Sequence, residues 1–150
     1  MAEAIKPILL NACARAATAE EASYRIDREI GGRKALIVGL DAAAAAVVDR
    51  VAERPWGAAQ FFPTPDVEAI VAEYGDADVV IVVGTADADG DAASTLARAG
   101  AERGIMLAGL ILGEQDEVGA AVSALRPYAR NLMITRDEDD VAAVLTALRA

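Results

Sequence analysis

The chain of 150 residues has the size of one compact domain, and at 55% hydrophobic and 25% charged it carries enough apolar material to exclude disorder or a need for disulfide staples. A net charge of −10 argues against nucleic acid and anionic membranes as partners. The absence of histidine and the single cysteine, Cys13, exclude serine–histidine and cysteine–histidine catalysis and any intrachain disulfide.

A helical extension is predicted over residues 1–32, with helices at 2–15 and 18–30. Thr18 and Glu21 have capping-box spacing, and Ala22, Ile26 and Ile30 recur every four residues along one stripe. Gly31-Gly32 closes the second helix. Cys13, among alanines, reads as buried packing. The start, Met1 to Leu10, has no basic head followed by an apolar stretch and a cleavage site. No run approaches the ~18 apolar residues that cross a bilayer. With a lone cysteine pointing to a reducing compartment, a cytoplasmic location is expected.

Residues 33–150 read as a strand–helix alternation. The apolar stretch Lys34 to Leu40 is the first strand. Asp41 caps an alanine-rich helix that runs to about Arg54, and Pro55-Trp56-Gly57 forms a turn. Ala58 to Phe62 is a short second strand. Thr64 is the expected N-cap of the next helix, with Pro65 pre-set in its first position and an end near Tyr74. The β-branched run Asp78 to Gly84 implies a third strand buried on both faces. An acidic loop, Thr85 to Asp91, leads to a helix over about 92–103. Ile105 to Leu112 is the fourth strand, 115–126 a helix stopped before Pro127, and Asn131 to Thr135 the fifth strand. Thr135 and Glu138 repeat the capping-box spacing before a last helix over about 137–148.

Five strands, each followed by a helix through short connections, predict an α/β fold. The expected architecture is a Rossmann-like three-layer sandwich with a five-stranded parallel sheet and an N-terminal helical extension. The strand order 3-2-1-4-5 is expected over 2-1-3-4-5.

In such a sheet ligands sit beyond the carboxyl ends of the strands. The candidate cofactor-binding residues there are Gly39, Asp41, Thr64, Gly84, Thr85 and Asp87, with Asp66 and Asp89 close in sequence. Gly39 is followed by Leu40, Asp41 and five alanines, so the first turn has neither a dinucleotide nor a P-loop glycine pattern. No cofactor is evident from motifs, and no catalytic residue stands out. Asp87, Asp89 and Asp91 around Gly90 offer carboxylate oxygens suited to calcium or magnesium. Their spacing fails the EF-hand pattern, and the simpler role is to shape a turn and cap the following helix. Arg126, Arg130 and Arg136 flank the fifth strand and are able to receive an anion. Trp56 reads as a partly buried loop tryptophan.

The stretch Ala77 to Thr85, with Asp91 to Leu112 beyond it, resembles a strand, loop, helix and strand of FtsZ, the bacterial tubulin homologue. Asn131 to Asp137, Ile37 to Leu40 and Ala46 to Arg50 are similar in layout to other parts of that family, so the resemblance covers residues 34–150. Leu40-Asp41-Ala42-Ala43 stands in place of the family's glycine-rich first loop, and Thr85 to Asp91 in place of its phosphate-holding loop. The resemblance therefore implies a degenerate nucleotide-binding domain that neither binds nor hydrolyses GTP in the family's way. The function expected from these readings is a non-catalytic protein-interaction or scaffold module, with a protein partner or a second copy in a homodimer. The alternative is a small-molecule or cofactor-binding enzyme or subunit that uses the crevice at the strand ends, where an acidic rim suits a neutral or cationic ligand.

Overall fold

In the computed structural model, residues 33–86, 88–114, 119–148 and 150 are described. The predicted helices at 2–15 and 18–30, and Cys13, lie outside them. The described elements are β1 (Ala35–Gly39), α1 (Ala42–Ala52), β2 (Ala59–Phe62), α2 (Val67–Ala72), a 3-10 turn (Tyr74–Asp76), β3 (Val79–Thr85), α3 (Gly90–Glu102), β4 (Met106–Leu112), α4 (Ala120–Leu125), β5 (Asn131–Thr135) and α5 (Asp139–Ala147). All four strand pairings are parallel, in the order β2-β1-β3-β4-β5. This is the Rossmann-like α/β arrangement expected from the strand–helix alternation.

The strand order corrects the expected 3-2-1-4-5. That order would place β3 at an edge and β2 inside. Val79 to Val83 are all fully buried, whereas every residue of β2 is only half-buried. A continuous β-branched strand gains most in the interior, and a four-residue strand carrying Gln60 suits an edge.

Side chains alternate between the two faces of the sheet, so each strand feeds two cores. Leu36, Val38, Val80, Val82, Leu107 and Ile111 pack with α2, α3 and α4. Ala35, Ile37, Val79, Ile81, Val83 and Leu110 pack with α1 and α5. On α1 the buried positions are Ala44, Val47, Val48 and Val51, the spacing of one helical face. Tyr74 is buried against α3, where its hydroxyl donates to the Leu96 carbonyl at 2.9 Å. The tyrosine ring packs over Gly100, where a Cβ would meet it at an ordinary contact distance of 3.7 Å. Burial pushes the Tyr74 phenol up to about 12, against the opposing pull of the Arg103 guanidinium.

Two helix starts differ from expectation. Asp66, not Thr64, caps α2: its carboxylate accepts from the Ala69 amide at 3.2 Å, while the Thr64 carbonyl accepts from Asp66. Aspartate outranks threonine as a cap, and the tight turn through Pro65 brings it into position. At α5 the capping box does not form. The Thr135 hydroxyl instead accepts from the Asp137 amide at 3.0 Å and donates to the Asp140 carboxylate, and Glu138 pairs with Arg50. No helix among the described residues is long and apolar enough to cross a membrane.

Candidate functional site

The chain winds from β1 to β2 on one side of the sheet and returns to β3 on the other. The carboxyl ends of β1 and β3 are therefore the switch point at which ligands bind in open α/β sheets. Four loops converge there. Their described residues pack closely on one another.

Asp41 follows β1 and caps α1 with an extended backbone. One carboxylate oxygen accepts from the Ala44 amide at 2.8 Å. The other accepts from both the Thr85 amide at 3.0 Å and the Thr85 hydroxyl at 2.6 Å, at the end of β3. This single side chain ties the two central strands together across the switch point. Burial by itself raises the Asp41 carboxyl, but hydrogen bonds from Thr85 and from the first amides of α1 outweigh it and hold the group below its ordinary value. A carboxylate so held is a poor general base, and it sets negative charge at the helix N-terminus that a phosphate would need.

The glycines serve loop packing. A Cβ on Gly39 would sit 2.8 Å from the Pro63 carbonyl oxygen, so the β2–α2 loop lies directly on the end of β1. A Cβ on Gly84 would meet Leu40 Cδ1 at 3.0 Å. Leu40, Ala86 and Ala88 are themselves buried. A Cβ on Gly119, before α4, would lie 1.7 Å from the Ala86 carbonyl oxygen, so the approach of the β4–α4 loop to the β3–α3 loop is open only to glycine.

The other candidates separate. Thr64 and Asp66 are exposed in the β2–α2 loop, with Asp66 committed to its helix. Asp89 caps α3, its carboxylate accepting from the Asp91 amide at 2.8 Å and the Ala92 amide at 3.4 Å, and Asp91 lies in the first helical turn. Asp87 lies outside the described residues. Among the described residues no three metal-ligating side chains converge. Trp56 is half-buried, donating its indole N–H to the Val51 carbonyl at 2.7 Å.

A second region escaped the sequence reading. On the α5 side of β4 and β5 runs an apolar groove of about 300 Å³, lined by Ala108, Leu110, Met133, Val144 and Leu148. Beyond it, at the carboxyl ends of the same strands, is an open polar recess of about 610 Å³ with Glu114, Thr135, Arg136 and Asp140. Met133 lines both and is 43% exposed in the middle of β5. Asn131 and Met133 are exposed while Leu132 and Ile134 are half-buried, which marks β5 as an edge. The apolar run Leu132 to Ile134 concealed this, because its composition is that of an interior strand.

Comparison with protein-family models finds no match for this chain, and no curated protein matches it.

Proposed function

We propose that this protein is a cytoplasmic, non-catalytic interaction or scaffold module: a nucleotide-binding-type fold that works through protein contacts rather than through a ligand at the switch point. In this reading its FtsZ-like strand pattern persists without the phosphate-binding loops. The observation that carries the proposal is the Asp41–Thr85 tie. Both oxygens of the Asp41 carboxylate are engaged by the protein's own donors, and Leu40, Ala86 and Ala88 in the same loops are buried. An acidic surface and a lone cysteine support the cytoplasmic setting.

A thermal-shift screen against nucleotides, flavins, nicotinamide cofactors and common metabolites tests this reading. The expected result is no shift. A ligand at ~100 times its dissociation constant adds about 2.7 kcal/mol, which raises the melting temperature by several degrees in a domain of this size. A shift of that size which Asp41→Asn abolishes would instead establish the crevice as a binding site.

A further inference from the structure

We draw no further inference here: the strongest candidate, the apolar groove that Leu110, Met133, Val144 and Leu148 line on the α5 side of β4 and β5, carries none, because nothing in the structure shows what covers it.

Discussion

The two ends of the central strands and the β5 edge use the same kinds of residue to opposite effect. At the switch point, glycines let loops touch, alanines and a leucine fill the gap, and one aspartate ties β1 to β3. At β5, the apolar strand pairs on one side alone among the described residues, with a groove on the α5 side. Among the described residues, the loops at the switch point pack on one another while β5 pairs on one side alone.

The sharpest way to break this contrast is Gly119→Ala. The new methyl would coincide with the Ala86 carbonyl, so the β3–α3 and β4–α4 loops must separate. A loss of about 3 kcal/mol is expected in chemical denaturation. Gly57→Ala is the companion control, since a Cβ there meets nothing within 4 Å and stability stays within about 0.5 kcal/mol. If Gly119→Ala were equally mild, the loops would not be closely packed.

Asp41→Ala is expected to cost about 1–2 kcal/mol near neutral pH, through the lost helix cap and the tie to Thr85. Because folding lowers the pKa of Asp41, its contribution is present above the unfolded value near 3.8 and is lost as pH falls through the folded one. Below that window, wild type and variant converge in urea titrations. A difference that persisted undiminished into acid would mean that the carboxylate charge is not what holds the strands.

Tyr74→Phe removes the hydroxyl bonded to Leu96, at an expected cost of about 1 kcal/mol. The sign of its pH dependence is opposite. Folding raises the phenol to about 12, so its contribution is complete below about 10 and is lost as pH rises through the folded value. The variant should lack this alkaline loss. The smallest effect on stability is expected at Met133→Lys, within about 0.5 kcal/mol for the single chain, because the side chain is 43% exposed. A large loss there would show that Met133 belongs to the core.

Most of the architecture was legible in the chain. Val79 to Val83, Met106 to Leu112 and Asn131 to Thr135 announce strands by their apolar runs, and Asp41 announces a cap by its place before five alanines. Strand order was not, because pairing depends on which strands the whole core buries, and Gln60 in β2 is a faint signal of an edge. The candidate site was half legible. Asp41 and Thr85 were both marked by their positions after β1 and β3, yet their separation of 44 residues in sequence hides that they bond to each other. Gly119 was missed for the same reason: its partner, Ala86, is distant in sequence and has no distinctive chemistry.

Native-state hydrogen exchange at the Thr85 amide, which donates to Asp41, and the Leu40 amide, which donates to the Val83 carbonyl at 2.8 Å, tests the closed switch point most directly. The account predicts that both amides exchange only through global unfolding, with the same denaturant dependence as the core of β3. Rapid exchange by local opening would contradict it, and would return the crevice to the molecule as a place where a ligand can enter.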